Sequence, residues 1–389
     1  MRIGVDATSW SNRRGFGRFA RNAVGRLVEL DHDWTYVFVL EDGSDAALPT
    51  GTEVVRVPLS EPPGTGAVAG SHRRPLDVVR LARATRGAGL DAFLFPSLYT
   101  WFPGVGAPTV VGLHDTITDE LAALTAATRR ERALLRLKQA LAVRSATQLF
   151  TVSLAAQEAI SARLGLPAAR LPVVPEAPDP VFREKPEPGV LAAARARAAL
   201  EPSQRFFVYV GGISPHKNVE TLIDAYAAAL ARLDDPPLLV LVGALEEENF
   251  LSAAASVRAR IAAHGLQERV RLPGFVPDAE LAALYTESVG LVVPSLGEGF
   301  GLPAVEAAAC GTAVVLSDLP AHRESLGCAA LFFDPTDVAT LAAHLVALAE
   351  DEPLRDERAR RCAEVVAGLT WDAAADRLRA LIGQAAALA

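Results

Sequence analysis

The sequence predicts an α/β protein made of two doubly wound units, each a parallel sheet with helices on both faces. Three observations predict it. Short apolar runs alternate with longer helix-forming stretches along almost the whole chain, the pattern of strand–helix–strand units. The stretch Pro175–Pro188, PEAPDPVFREKPEP, is too rich in proline for a regular element and splits that alternation into two runs, as an interdomain linker would. At 389 residues the chain has ample sequence for two full-sized cores.

Taken in order, Arg2–Asp6 is a short apolar strand, followed by the loop ATSWSNRRGFGR and a helix from about Phe19 to Leu30. Gly15 and Gly17 let the backbone turn tightly at the carboxyl end of that strand, where open α/β sheets bind ligands. Arg13 and Arg14 read equally as solvated side chains of a plain turn. Strands recur at Thr35–Leu40, Val54–Val57, Ala92–Phe95 and Thr109–Leu113. Residues 59–75, rich in Pro, Gly and Ser and carrying His72, Arg73 and Arg74 near their end, read as a mobile loop. His114 and Asp115 are polar residues at the tip of an apolar strand, a cleft-lining position; the plain alternative is a histidine hydrogen-bonded in a loop.

Ala126–Ser145 is amphipathic, with Leu134, Leu137 and Leu141 at helical spacing and Arg129, Arg130, Arg132, Arg136 and Lys138 making it basic. A solvated face is the plainer reading and contact with a membrane surface the second. Thr147–Val152 and Leu171–Val174 read as the last strands of the first half.

The second run has strands near Phe206–Val210, Leu238–Val242 and Val270–Leu272. GGISPHKN joins the first of these to a helix beginning near Val219. Gly211 and Gly212 permit close approach of a ligand, and Lys217 stands where a cation could meet a phosphate. Lysine occurs only as Lys138, Lys185 and Lys217, which makes one inside a motif conspicuous. PGFVPDAELAALY follows a strand and holds a capped helix from Pro277 onward. In Gly290–Leu316 an apolar run leads to a loop with three glycines, then to helix formers opened by Pro303 and closed by Gly311, then to a second apolar run. That is strand, loop, helix, strand. Leu341–Ala349 and Pro353–Val366 are helices, and Trp371–Ala389 is a terminal helix anchored by a buried Trp371.

Chemistry concentrates in the glycine loop. The amides of Phe300, Gly301 and Leu302 lie where the helix begins, so they can aim at an anion with the positive end of the helix dipole behind them, and a diphosphate is the natural guest. Glu298 and Glu306 flank that place and would repel it unless they faced hydroxyl pairs, of which a sugar nucleotide offers two. A tight turn with Glu306 as an early-helix charge is the plain alternative.

Composition narrows the partners. Residues 1–190 hold 22 basic and 20 acidic side chains, leaving 16 basic and 26 acidic, so no strongly basic face offers itself to nucleic acid. Half the residues are apolar and 22% charged, no apolar run spans a bilayer, and Met1–Leu27 carries basic residues in place of a signal-peptide core, which together place the chain in the cytoplasm. Cys310, Cys328 and Cys362 form no close pair and read as buried small apolar residues. No D-x-D motif stands between apolar strands and no His/Asp cluster has ligand spacing, so no metal is expected.

EGFGLPAVE, two glutamates with seven residues between them, resembles the E-x7-E signature of retaining glycosyltransferases with the GT-B fold, and is most similar to family 4, the mannosyltransferase-like glycosyl transferases group 1. AACGTAVV, YVGGISPHKN, GFVPDAELAALY and the amino-terminal G-x-G-R extend the resemblance over nearly the whole chain. It implies Rossmann-like domains at 1–185 for the acceptor and 186–370 for the nucleotide sugar, facing a central cleft, with 371–389 returning as a helix to the first domain. It implies donor contacts at Gly15, Gly17, Gly211, Gly212, Glu298, Gly299, Phe300, Gly301, Leu302 and Glu306, with the base held by backbone at Phe275 and Val276. Arg18 and Asp115 fall on the acceptor side. Lys217, His114 and Glu298 become the catalytic group: Lys217 at the leaving phosphate, His114 and Glu298 at the transferred sugar, with Glu306 on the ribose diol. Relatives often carry an arginine where this chain has Gly212, so Ser214, His216 or another arginine must supply that phosphate contact.

The implied activity is transfer from a nucleoside diphosphate sugar, GDP-mannose first and UDP-sugars second, to a hydroxyl of a glycan, lipid-linked glycan or natural product, without cofactor or metal. It would take place in the cytoplasm, with weak contact at the inner membrane face. A sugar-nucleotide epimerase, a non-catalytic binding protein and a nicotinamide oxidoreductase are the competitors, the last lacking the full G-x-G-x-x-G and a later ribose-binding acid.

Overall fold

A computed structural model describes residues 1–388 apart from 13–14, 61–72, 122–123, 125–127 and 244–251. Arg13, Arg14, His72, most of the expected loop at 59–75 and the first residues of the 126–145 stretch therefore lie outside the described residues. The chain divides into two compact units, one of Met1–Glu120, Ala126–Glu176 and Thr370–Ala389, the other of Leu121–Thr125 and Ala177–Leu369.

The first unit holds β1 (Arg2–Asp6), β2 (Thr35–Glu41), β3 (Glu53–Val57), β4 (Ala92–Phe95), β5 (Thr109–Gly112) and β6 (Gln148–Phe150) in one sheet of order β3-β2-β1-β4-β5-β6. All its pairings are parallel. The second unit holds β7 (Phe206–Val210), β8 (Leu238–Val242), β9 (Val270–Gly274), β10 (Gly290–Val293), β11 (Val314–Ser317) and β12 (Leu331–Phe333), in the order β12-β11-β10-β7-β8-β9 and again parallel throughout. Parallel strands need crossover connections, and helices on both faces bury both sides of the central strands. That is why β4, β5, β8, β10 and β11 are buried along their whole length and read as unbroken apolar runs. Each sheet reverses its winding once, at β1/β4 and at β7/β10, and crevices outside the carboxyl ends of such strand pairs are where this architecture takes ligands.

Several elements depart from the expectation. The chain is already helical at Gly15: Gly15–Phe19 runs through a wider turn at Ala20–Val24 into Gly25–Leu30. The G-x-G-R stretch is thus a first helical turn and not a loop. Gly17 is required by packing, since a Cβ there would lie 2.0 Å from the carbonyl oxygen of Asn12. Arg21 Nη1 pins the segment before it, donating to the Trp10 and Asn12 carbonyls at 2.6 and 2.7 Å.

Leu171–Val174 is reduced to a single bridge between Thr151 and Val173, because Pro172 and Pro175 on either side have no amide with which to extend a ladder. Pro180–Arg183, inside the expected linker, forms a tight turn packed into the second unit. There the buried Phe182 stands 5.9 Å from the Tyr285 ring, and Arg183 donates to the carbonyls of Val366 and Leu369 at 3.0 and 2.7 Å. Cys362 is buried and Cys310 partly so, whereas Cys328 is exposed, contrary to the expectation that all three are interior. In the helix Arg129–Ser145, opened by a capping box of Thr128 and Glu131, the leucines expected to mark its apolar stripe lie at the surface, with Leu137 55% exposed.

The terminal helix Trp371–Ala386 belongs to the first unit, as the resemblance implied. Thr370 caps it, Trp371 is buried with its ring 6.2 Å from that of Phe19, and Arg379 reaches Asp31 and Asp33 at 3.2 and 3.1 Å while covering the Trp34 ring. We predict that Trp371→Ala costs the first unit about 3 kcal/mol through lost burial and the cavity left behind, read as a lower urea midpoint of its transition. An unchanged midpoint would show that the helix is held by its surface ion pairs instead.

Candidate active site

The segments that leave β7 and β10 are tied to each other. After β7 come Gly211 and the exposed Gly212, then a tight turn at Pro215–Lys217, then Asn218 in the left-handed region (φ 54, ψ 36) as the residue before the helix Val219–Leu230. Asparagine tolerates that conformation, and its side chain is put to use. Asn218 Nδ2 donates to the Pro294 carbonyl at 3.0 Å and to the Pro335 carbonyl at 2.8 Å, while its Oδ1 accepts from Thr221 Oγ1 at 2.8 Å. The Leu296 amide donates to the His216 carbonyl at 2.8 Å. Two loops from adjacent strands become one rigid wall.

On that wall Lys217 Nζ donates to Glu298 Oε1 at 2.6 Å, and the same oxygen accepts from Ser295 Oγ at 2.7 Å. Ser295 is fully buried, its carbonyl taking the Ser317 hydroxyl at 2.6 Å. Burial by itself would raise the Glu298 carboxyl, but the Lys217 ammonium, helped by His322 and the Ser295 hydroxyl, outweighs it and holds the group down to about 2. Glu298 is therefore a carboxylate at every physiological pH.

The glycine loop then turns into the helix Leu302–Ala309 through Gly301, whose φ of 94 and ψ of 47 suit glycine. Pro303 sits at the second helical position, one later than expected. The Leu302 amide belongs to the first turn and has no place in the helical ladder, as its position requires. Phe300 and Leu302 are buried, and Glu306 is 2% exposed one turn further on. Phe275, exposed, and Val276, buried, follow the carboxyl end of β9.

The sequence reading missed His322. It is fully buried, on the short helix Pro320–Leu326 that follows β11, and its Nδ1 lies 2.8 Å from the Ser317 carbonyl. A carbonyl only accepts, so Nδ1 carries the proton. Burial holds the ring below the ordinary histidine range, with the Glu298 carboxylate pulling the other way. Its Nε2 finds no partner among the described residues and lies toward Gly301, where a Cβ would stand 3.4 Å away. The available signal was position: a histidine just past the strand that pairs with β10.

The remaining expected residues lie in the first unit. Gly15 opens the helix, Gly17 is buried in its first turn and Arg18 is partly buried beside it. His114 follows β5 and gives its Nε2 proton to the Pro96 carbonyl at 2.8 Å; Nδ1 is 3.8 Å from Glu176 Oε1, beyond hydrogen-bond reach. Burial pushes this imidazole down to about 4, against the Pro96 carbonyl, so the ring is neutral and its single proton is already engaged. Asp115 Oδ1 accepts from the Ile117 amide at 3.0 Å.

The family model described as "Glycosyl transferases group 1" matches residues 192–365, and that described as "Glycosyltransferase Family 4" matches residues 13–181. Over 170 residues the chain is 32% identical to the O-antigen chain mannosyltransferase B of Escherichia coli, an alignment that covers 43% of this chain and 43% of that protein. The match thus spans less than half the length of that relative. Among solved structures, sucrose-phosphate synthase from Thermosynechococcus elongatus superposes with a TM-score of 0.78 at 19% identity over 100% of both chains. The Anabaena protein HepE, in complex with UDP and glucose, gives 0.76 at 19% identity over 98% of this chain and 99% of that one. At such identity the likeness is one of fold.

Removing the cation should leave a buried carboxylate uncompensated, so Lys217→Ala is expected to cost about 3 kcal/mol and Glu298→Gln to restore part of it. A double-mutant cycle by calorimetry would return a coupling of about 2 kcal/mol, and strict additivity would remove the pair from the argument. Acid supplies an independent check. The folded carboxyl titrates below its ordinary 4.5, so on acidification the unfolded chain takes up the proton first. The advantage of the native protein over Glu298→Gln should be complete above about pH 4.5 and vanish as the pH falls through about 2.

Proposed function

We propose that this chain, which belongs to the group 1 glycosyltransferases of GT-B fold and family 4 type, moves a sugar from a nucleoside diphosphate sugar to an acceptor hydroxyl with retention at the anomeric carbon. The observation that carries this reading is the Lys217–Glu298 pair set beside the helix that begins at Gly301. A cation and helix-start amides suit a diphosphate, and a carboxylate next to them suits the hydroxyls of the sugar attached to it.

As the bond between the anomeric carbon and the phosphate oxygen breaks, negative charge grows on the diphosphate. Lys217 and the amides about Gly301 stabilise that charge, the kind of fixed electrostatics that lowers a barrier most. The new bond forms to the acceptor oxygen, whose proton passes to an oxygen of the departing diphosphate. Glu298 accepts from hydroxyls of the transferred sugar, and the neutral His322 offers Nε2 as a second acceptor on the same side. Glu306 holds the ribose diol, the backbone at Phe275 and Val276 holds the base, and Gly211, Gly212, Gly299, Phe300, Gly301 and Leu302 line the donor. For the first unit the resemblance assigns Gly15 and Gly17 to the donor, Arg18 and Asp115 to the acceptor and His114 to the sugar, and of the His114 ring only Nδ1 is left for a contact, since its Nε2 proton is held by Pro96. Ser214 Oγ and His216 Nδ1, 3.1 Å apart, take the phosphate contact for which Gly212 has no side chain.

No metal and no cofactor enter this mechanism. GDP-mannose is the favoured donor, on the similarity to an O-antigen mannosyltransferase, with UDP-sugars second because a protein of the same fold binds UDP. The acceptor belongs to a glycan, a lipid-linked glycan or a natural product. Among the described residues no helix is long and apolar enough to cross a membrane. We place the reaction in the cytoplasm, with the surface leucines and arginines of the helix Arg129–Ser145 as the point of any contact with the inner membrane face.

Nucleotides tested by thermal shift give the most direct check, because a ligand at a hundred times its dissociation constant adds about 2.7 kcal/mol of stability. One nucleoside diphosphate should raise the melting temperature and NAD should leave it unmoved; equal response to every nucleotide would undo the donor site. Lys217→Ala should keep nucleotide binding and lose transfer by about a hundredfold or more. An anomeric proton spectrum of the product should show the donor's configuration, and an epimerised donor in the absence of acceptor would favour the epimerase.

A further inference from the structure

The crevice at the carboxyl ends of β1 and β4, the reversal point of the first sheet, holds charges that the transfer mechanism does not use. Asp6, the last residue of β1, is fully buried; its Oδ1 accepts from the Thr8 amide at 3.1 Å and the Thr8 hydroxyl at 2.7 Å, and its Oδ2 has no partner. Arg73 comes to the same place. Its Nη2 donates to Thr8 Oγ1 at 2.5 Å, its guanidinium stands 5.9 Å from the Phe102 ring, and its Nε and Nη1, both buried, bond to nothing among the described residues. Lys138, from the helix Arg129–Ser145, brings Nζ to 2.5 Å from the Tyr99 carbonyl just beyond β4. Burial, and then the Arg73 charge beside it, push this ammonium down to about 7, with Asp6 opposing.

Neither Arg73 nor Lys138 makes an ion pair with a described residue; the hydrogen bonds they do make go to neutral oxygens. Arg73 stands near enough for its charge to lower the Lys138 ammonium, and with a single buried carboxylate nearby the two leave a place that an anion would complete. Guanidinium nitrogens with no partner, next to an ammonium that can donate three times, match the several oxygens of a phosphate. We propose that this crevice is a binding subsite for a phosphate ester, gripped by Arg73 and Lys138. Because it rests on the glycosyl-transfer reading, that ester is a part of the acceptor. A dianionic phosphate matches two cations where a carboxylate matches one, and Asp6 Oδ2 can accept from a hydroxyl adjoining the phosphate. Tyr99 also borders a small pocket with Ser97, His114, Asp115 and Gln139 beside the strand ends.

The test titrates glycerol 3-phosphate, with glycerol as the control, into full-length protein already saturated with its nucleoside diphosphate, so that the donor's own phosphate site is filled. A parallel arm uses vesicles of phosphatidic acid, also a phosphate monoester, and phosphatidylcholine in equal parts. Glycerol 3-phosphate should bind and glycerol should not, and Arg73→Gln and Lys138→Gln should each weaken binding about tenfold or more. Arg73→Lys, which keeps the charge, should recover part of the loss and shows that the glutamine variant failed through its charge and not its folding. If only the vesicles bind, with the same dependence on Arg73, the subsite stands and its phosphate is carried on a lipid. Binding of neither probe, or binding equally strong in both glutamine variants, overturns the proposal. Nucleoside diphosphate affinity measured alongside reports on the donor site alone, so failure there would strike the transfer reading and leave the subsite to be judged on glycerol 3-phosphate.

Discussion

A parallel strand cannot be followed by a hairpin, and the rest of this molecule follows from that constraint. Each connection has to cross over the sheet as a helix, so each sheet winds outward from its first strand, stops, and winds outward again on the other side. At the place of reversal the two connections leave in opposite directions and their loops part. In the second unit that place lies between β7 and β10, and the loops that part there carry Lys217 and Glu298. In the first it lies between β1 and β4, where Asp6, Arg73 and Lys138 gather. Chemistry collects where the fold leaves strand ends uncovered.

Such a location supplies room and not rigidity, and rigidity here comes from backbone carbonyls used as anchors. Asn218 spends its whole amide on Pro294, Pro335 and Thr221, and the His216 carbonyl holds the Leu296 amide. With both loops fixed, the Lys217–Glu298 contact needs little ordering when a ligand arrives, which is the condition under which a charge pair in a partly dry place contributes most. The pair serves each partner differently. Glu298 has a desolvated charge that the Lys217 cation offsets most, whereas Lys217 keeps 22% of its side chain in contact with solvent.

Much of this was legible in the sequence because period and punctuation are local. Continuous apolar runs announced buried parallel strands, and the Gly301–Pro303 and Gly311 brackets announced the helix between β10 and β11. What escaped depended on contacts made at a distance. Gly17 looked like a turn residue, but its constraint is the Asn12 carbonyl, and nothing local separates a glycine needed for its φ from one needed for its missing Cβ. Phe182 lay in a proline-rich stretch that had every mark of a linker, and residues far along the chain, Tyr285 among them, make it part of a core. Among the candidate site residues, Lys217 and Glu298 stood out because they sit in motifs, and the fold brings the two into contact. Arg73 and Lys138 read as parts of a loop and of a basic helix face, since their convergence on Asp6 and Thr8 is purely tertiary.

The two buried histidines beside the strand ends show how much a single hydrogen bond decides. Both are kept neutral by burial, His114 after β5 and His322 after β11, so each has one proton and one lone pair to allot. His114 gives Nε2–H to the Pro96 carbonyl, which leaves Nδ1 facing the carboxylate side of Glu176. His322 gives Nδ1–H to the Ser317 carbonyl, which turns the unprotonated Nε2 toward Gly301 and the start of the helix Leu302–Ala309. A backbone carbonyl chooses the tautomer in both cases, and with it the atom that can meet a ligand. By this logic the residue that the E-x7-E pattern does not mention keeps an accepting nitrogen beside Gly301, whereas His114 has no proton left to donate. Which polar atom each of these two rings keeps available is thus selected by the backbone.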